Sequence, residues 1–213
     1  MKLSALVSGL VDGVEGAGDP EIEHLTIDIN EVRPGTLFAA RRQWYGDTHE
    51  HLEEAVRRGA AALLVSDAAR APTTVPVAVA RAEDPALGLV SRRYYDAPSS
   101  RLEVYGVTGT NGKTTVTWMI AHILAALGER PALMGTLGYR FEDAIVPASN
   151  TTPDALVIHR FAADAAARVD GQQQRIDALV SALETRDGEV RELQAAARAA
   201  AEAHEASRAE ESQ

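Results

Sequence analysis

The chain has 213 residues, 46% of them hydrophobic, and a formal net charge of −10. That length suits one large or two small domains at the usual ~100–200 residues per domain. The acidic balance argues against a general nucleic-acid binder. The absence of cysteine excludes disulfides and thiolate chemistry, and no run approaches the ~18–20 apolar residues of a membrane span. The first dozen residues are briefly signal-like, but Ser8, Gly9 and Asp12 interrupt a short apolar stretch. An amphipathic helix over 3–11 and a cytoplasmic location are the expectations.

After an acidic, glycine-rich loop (Gly13–Pro20), apolar segments are expected at Leu25–Ile29 and Thr36–Ala40, separated by the turn Arg33-Pro34-Gly35. Asp47 or Thr48 can cap a helix running to about Arg58, which Gly59 stops. Ala61–Val65 and Val75–Ala80 have the composition of buried strands. Asp84-Pro85 opens a helix ending near Tyr95, and the link Asp96–Arg101 is a candidate domain boundary. Residues 1–97 are thus expected to form a small α/β domain.

The densest chemistry lies at Val104–Thr115, V-Y-G-V-T-G-T-N-G-K-T-T. An apolar run (Leu102, Val104, Val107) enters a glycine-rich turn, and a helical pattern containing Trp118, Met119, Ile120, Ile123, Leu124 and Leu127 leaves it. Strand, loop and helix in that order are the context of a phosphate-binding loop. Its inward-pointing N–H groups and the positive end of the new helix favour an anion. Lys113 supplies a compact charge for the β/γ-phosphates and Thr114 a hydroxyl for Mg²⁺. The chain has two lysines, Lys2 and Lys113; its other basic residues are arginines. The spacing is a variant, because Gly106 and Gly109 stand where the usual motif would place one glycine at Val107. An ordinary glycine-rich turn before a helix is the bland alternative.

Gly128 ends that helix, Pro131–Met134 has the composition of a short strand, and Gly135-Thr136-Leu137-Gly138-Tyr139 is punctuated by glycine. Alternation of strand and helix predicts a mainly parallel, doubly wound sheet. No apolar run ending in Asp follows the loop, which argues against an unrelated P-loop NTPase. Asn150-Thr151-Thr152-Pro153-Asp154 caps a helix of Ala155, Leu156, Ile158, His159 and Phe161. From Gly171 the composition shifts to Ala, Glu, Arg and Gln. Ile176, Leu179, Leu183, Val190 and Leu193 recur at a 3–4 spacing that Ala197 and Ala200 continue. A long amphipathic helix follows from this, either a coiled coil or a solvated helix packed on its own domain.

Three ordered motifs, G-V-T-G-T-N-G-K-T-T, G-T-L-G-Y and N-T-T-P-D-A-L-V-I-H-R, resemble the Mur ligases, most closely the MurE type. The segments V-R-P-G-T-L-F-A-A, D-T-H and A-V-R-R-G-A-A-A-L-L-V are similar to that family's uridine-nucleotide domain. The resemblance covers about residues 20–168 and implies three parts. Residues 1–97 would be a UDP-binding domain, 98–170 the start of a central ATP-binding domain, and 171–213 an unrelated helical tail. It implies an ATP- and Mg²⁺-dependent amide ligase of peptidoglycan synthesis, serving cell-wall biogenesis, cell shape and cell division. In such enzymes a substrate carboxylate attacks the ATP γ-phosphate, and an amino acid amine attacks the acyl phosphate formed. By position, Gly109, Thr110, Asn111, Gly112, Lys113, Thr114 and Thr115 would hold ATP, with Lys113 acting on the phosphates and Thr114 on the metal. Asn150, Thr151 and Thr152 would contact the UDP-N-acetylmuramoyl-dipeptide, and Ile27, Ile29, Trp44, Tyr45 and Gly46 its uridine end.

The chain departs from the family pattern in places. Asp28-Ile29-Asn30 stands where the family usually has Asp-Ser-Arg, and Gln43 where it usually has Gly. The Ser-Ser-His and Asp-His segments and a carbamylated lysine of the central domain have no counterpart, and no lysine follows Lys113. The expectation is therefore a ligase fragment that binds nucleotide without completing turnover. The alternative is a UDP-sugar or nucleotide-binding module whose tail recruits a partner or self-associates. A central sheet short of strands should expose an edge and an apolar face, leaving the N-terminal domain the best-packed part.

Overall fold

The runs Thr36-Leu-Phe-Ala39 and Ala60-Ala-Ala-Leu-Leu-Val65 are apolar at every second residue and in between. Only a strand covered on both faces uses such a run. In the computed structural model these two strands lie side by side at the middle of a five-stranded sheet. Residues 1–43, 46–72, 74–81, 83–141, 144–147 and 153–210 are described. In chain order the first elements are α1 (Leu3–Val7), β1 (Gly13–Glu15), β2 (His24–Thr26), β3 (Thr36–Ala39), β4 (Arg42–Gln43), β5 (Gly46–Asp47), α2 (Leu52–Arg57), β6 (Ala60–Val65), β7 (Val77–Val79) and α3 (Glu83–Tyr94). There follow α4 (Lys113–Ala126), β8 (Ala132–Gly135), β9 (Gly138–Phe141), β10 (Ala144–Val146) and α5 (Ala155–Glu210).

The large sheet has the order β1-β7-β6-β3-β2. Strands β2, β3, β6 and β7 are parallel, and β1 closes one edge antiparallel to β7. Successive residues of β3 and β6 point to opposite faces. Leu37, Ala39, Ala62 and Leu64 therefore join one core with α1, α3 and Leu156 of α5. Phe38, Ala40, Leu63 and Val65 join the other, with Leu52 and Ala55 of α2. The result is a three-layer α/β arrangement. Helix α1 is shorter than the span 3–11 suggests, because Gly9 turns left-handed and Arg93 bonds the carbonyls of Ala5, Leu6 and Ser8 at its end.

The second sheet is a correction to the expected parallel order. Strands β10, β9 and β8 form an antiparallel meander. Gly135-Thr136-Leu137-Gly138 makes the tight turn between β8 and β9. Gly138 has φ +132°, and a Cβ there would lie 2.7 Å from the carbonyl oxygen of Val146, so only glycine fits. Parallel pairing needs neighbouring strands joined by crossovers, and among the described residues β8 has none. The hairpin satisfies its backbone locally.

The strand expected before the phosphate loop is a second correction. Residues 102–108 belong to no strand. Their backbone has no sheet neighbour among the described residues, so the apolar run joins no sheet.

Clustering of the fold gives two units, Met1–Ala166 and Ala167–Gln213. The second unit consists of the later turns of α5. Leu179 and Val180 are exposed there. The side chains of Ile176, Leu183, Val190, Leu193, Ala197 and Ala200 lie outside the described residues. No helix among the described residues is long and apolar enough to cross a membrane.

Candidate functional site

Gly109 and Gly112 have φ values of +145° and +80°, conformations that strain any residue with a Cβ. They let the chain reverse at Thr110-Asn111 and enter α4 directly at Lys113. Gly112 is the N-cap of α4 and has no side chain to bond the first helical N–H groups. Those donors, at the positive end of a helix of 14 residues, are what an anion would meet. The Lys113 ammonium folds over the loop and donates to the carbonyls of Gly109 (2.5 Å) and Thr110 (3.2 Å). Those two bonds tie the ammonium to the loop itself. Thr114 and Thr115 occupy the first turn of α4. Gly109, Thr110, Asn111 and Gly112 are exposed, so the loop is open to solvent. The residues present suit a nucleotide phosphate and its metal: backbone donors, one cation and hydroxyl oxygens in a single turn.

Ile27 and Ile29 follow the carboxyl end of the parallel strand β2, the end at which open α/β sheets place ligands. Ile27 follows β2 and packs on the first core, whereas Ile29 packs on the second. Both side chains are half-buried for packing, which leaves the backbone of this turn as the polar surface. Asp28 organises it: its Oδ1 accepts from the Asn30 N–H (2.8 Å) and side-chain amide (3.0 Å). Asp28-Ile29-Asn30 is therefore a self-capped turn, and Arg58 donates to its Ile29 carbonyl (3.3 Å). Gly46 is exposed at the start of β5, in the hairpin with β4. Trp44, Tyr45, Asn150, Thr151 and Thr152 lie outside the described residues.

Pro153 and Asp154 are described, at the start of α5. Asp154 Oδ1 accepts from the Val157 N–H (3.1 Å), capping α5. Its Oδ2 lies 3.7 Å from Arg41 Nη1, at the carboxyl end of β3. Leu156 is buried in the core of the large sheet, and Ala155 meets Gly88 of α3 closely. The start of α5 is thereby fixed to the large sheet. The crevice beside Arg41, lined also by Ala39, Ala40, Leu64, Val65, Ala80 and Leu87, has no room for a water molecule. It is packing, not a pocket.

One network escaped the sequence reading. Asp47 Oδ1 lies 2.6 Å from Nδ1 of the fully buried His49, whose Nε2 faces the Ser66 hydroxyl (3.3 Å) and N–H (3.4 Å). Asp47 Oδ2 lies 2.6 Å from Arg70 Nη1. Arg70, together with these hydrogen bonds, holds the Asp47 carboxyl far below the usual carboxylate range. The order Asp–His–Ser is that of a nucleophile relay. Here Asp47 also caps the following turn through the His49 N–H (3.1 Å) and holds Arg70, so the network locks the loops after β5 and β6 together. Only D-T-H was visible beforehand, because Ser66 and Arg70 reach it through the fold.

Comparisons with known proteins agree with the motifs. The family described as Mur ligase middle domain matches residues 107–179, continuing past the point near residue 168 where the resemblance in sequence ends. A UDP-N-acetylmuramoyl-L-alanyl-D-glutamate–2,6-diaminopimelate ligase of Geobacillus thermodenitrificans is 39% identical over 163 residues, 75% of this chain and 32% of that protein. The enzyme of the same name from Pseudomonas syringae pv. tomato is 43% identical over 143 residues, 66% of this chain and 29% of that protein. The chain thus spans about a third of the length of the curated relatives it matches. A solved structure with the same enzyme name covers 79% of this chain and 34% of its own, with a TM-score of 0.59 at 23% identity, a likeness of fold.

Proposed function

We propose, from the premise that the chain belongs to the Mur ligase family over its matched residues, that it carries the nucleotide-binding portion of a peptidoglycan-precursor ligase. The whole reaction would join 2,6-diaminopimelate to UDP-N-acetylmuramoyl-L-alanyl-D-glutamate, with ATP and Mg²⁺, in the cytoplasm. The diaminopimelate choice rests on the names of the relatives. The single observation that carries the reading is the loop 109–115, with its uncapped helix end and inward Lys113. Residues 1–97 are the uridine-nucleotide domain, 98–170 the start of the ATP-binding domain, and 171–213 a helical extension. The bond-forming step depends on segments outside the matched third.

Each residue's part follows from its chemistry. ATP with its Mg²⁺ supplies the activating phosphoryl group when bound. The α4 N–H groups fix the phosphates, Lys113 exchanges its carbonyl partners for phosphate oxygens, and Thr114 contributes a hydroxyl to the metal. Asn150, Thr151 and Thr152 offer amide and hydroxyl groups to the muramoyl-peptide. Titration with ATP·Mg²⁺ tests this. Lys113→Ala should bind about 10- to 100-fold more weakly, the ~1.5–3 kcal/mol of a hydrogen bond to a charged group. Equal binding by the two proteins would end the loop assignment.

A second reading is favoured by the helix bounds, which run to Glu210 beyond the family match at residue 179. In it the tail is an amphipathic helix that recruits a protein partner to a UDP-sugar- or nucleotide-binding module. Deleting residues 180–213 should leave nucleotide binding unchanged and abolish partner capture; nucleotide binding lost with the tail would refute it.

A further inference from the structure

Hairpin β4–β5 stands apart from the large sheet. Its strands pair Arg42 with Asp47 and Gln43 with Gly46, and form a two-stranded sheet of their own. At its base the Arg41 N–H donates to Thr48 Oγ1 (2.7 Å), and the Thr48 N–H donates to the Arg41 carbonyl (2.9 Å). Two strands this short are marginal unless the rest of the fold holds them. Asp47 supplies such a hold. One carboxylate oxygen accepts from the His49 N–H and faces the buried His49 ring, and the other accepts from Arg70 (2.6 Å). Arg70 ends the short turn Ala68–Arg70 after β6, and Asp67 caps that turn through the Ala69 N–H (3.0 Å). His49 Nε2 meets Ser66, the first residue after β6. The Ser66 N–H can only donate, so Nε2 is the acceptor and Nδ1 carries the proton toward Asp47. Two lines of polar contact, one through His49 and one through Arg70, therefore run from the carboxyl end of β6 to one carboxylate beside Gly46.

We infer that Asp47, His49 and Arg70 are positioning residues for a uridine nucleotide: they fix the pose of hairpin β4–β5, and with it Gly46, relative to the carboxyl end of β6. This rests on the uridine reading and adds to it the device that orients the binding element. The kind of contact favours positioning over packing alone. An apolar contact holds two segments together without setting an angle, whereas a carboxylate with a different donor on each oxygen sets both distance and direction. Exposure points the same way. The Arg70 side chain is 33% exposed and that of Asp47 23%, and an ion pair so open to water adds little stability by itself. What it does supply is geometry, because it joins the β5 strand to a turn that is already capped. A nucleotide meeting a hairpin held in one pose does not have to order it on binding.

The test titrates UDP into the full 213-residue chain, labelled for amide NMR, alongside three variants. Arg70→Ala should keep the wild-type circular dichroism. It should move the Gly46 amide resonance before any nucleotide is added, and bind UDP about tenfold more weakly. Arg70→Lys should recover most of that affinity, because Arg70 reaches Asp47 through Nη1 and an ammonium can take that single bond. Asp47→Asn should weaken UDP binding about as much as Arg70→Ala does, since a neutral amide is a poorer acceptor for Arg70. An unmoved Gly46 resonance, or equal UDP affinity in Arg70→Ala, overturns the inference. So does Asp47→Asn that binds like the wild type while Arg70→Ala does not, for Arg70 would then act on the nucleotide itself. Affinity lost in Arg70→Ala and not regained in Arg70→Lys overturns it too. A wild-type chain that ignores UDP defeats the uridine reading, and the nucleotide role with it. Wild-type binding that the variants leave unaltered defeats the positioning role alone.

Discussion

Strand β6 and helix α4 are both apolar stretches, and they meet opposite fates. Ala60–Val65 lies between two helical layers and contributes to both cores. Lys113–Ala126 has no fully buried residue, and Trp118, Ile120 and Leu124 are half-buried. An apolar pattern states that a face gains by leaving water, at roughly 25 cal/mol per Å². It does not state that a neighbour exists to cover it. β6 has β3 and β7 as hydrogen-bonded neighbours and helices on either face. The run before α4 has no strand beside it among the described residues, and the strands after it resolve their bonding in a local meander.

The largest effects should separate the two regions cleanly. Phe38 is fully buried, so Phe38→Ala should cost about 3–5 kcal/mol in urea unfolding. Ile123→Ala should change stability by no more than about 0.5 kcal/mol. A large loss at Ile123 would mean that α4 is covered in solution and that the contrast fails.

Polar locks come next. Asp47→Ala leaves the buried His49 ring and Arg70 without their acceptor and should cost about 1–3 kcal/mol at neutral pH. Because the folded carboxyl titrates below its unfolded value of 3.8, its contribution is complete above that value and is lost as pH falls through the folded one. The difference between wild type and Asp47→Asn should therefore shrink on acidification. A constant difference from pH 7 to 3 would assign Asp47 a role other than its charge.

His24 should give the smallest effect. Burial, with help from the Arg33 guanidinium 3.3 Å from its Nδ1, lowers its affinity for a proton. A depressed histidine stays neutral in the fold while the unfolded chain takes up a proton below pH ~6.5. Stability should thus decline as pH drops below that value, and His24→Gln should flatten the decline relative to wild type. An unchanged slope would remove His24 from the acid response and leave it with other groups of the sheet region.

Local chemistry was legible from the residues alone. The glycine turn and the helix start at Lys113 could be read because such preferences are set within a few residues. The central strands could be read because two-sided burial leaves a continuous apolar run. Asp47 caps the turn that its own sequence announces. What needed the fold was every decision made between distant segments. Ser66 and Arg70 reach Asp47 and His49 across neighbouring loops. Arg41 meets Asp154 although more than a hundred residues of sequence intervene. The antiparallel order of β8–β10 and the unpaired run 102–107 depend on which strands lie close enough to bond. Sequence by itself determined where the chain turns and where its helices start, since those preferences act over a few bonds. Tertiary structure alone decided which apolar surfaces leave water, because burial needs a second surface and a local pattern specifies only the first.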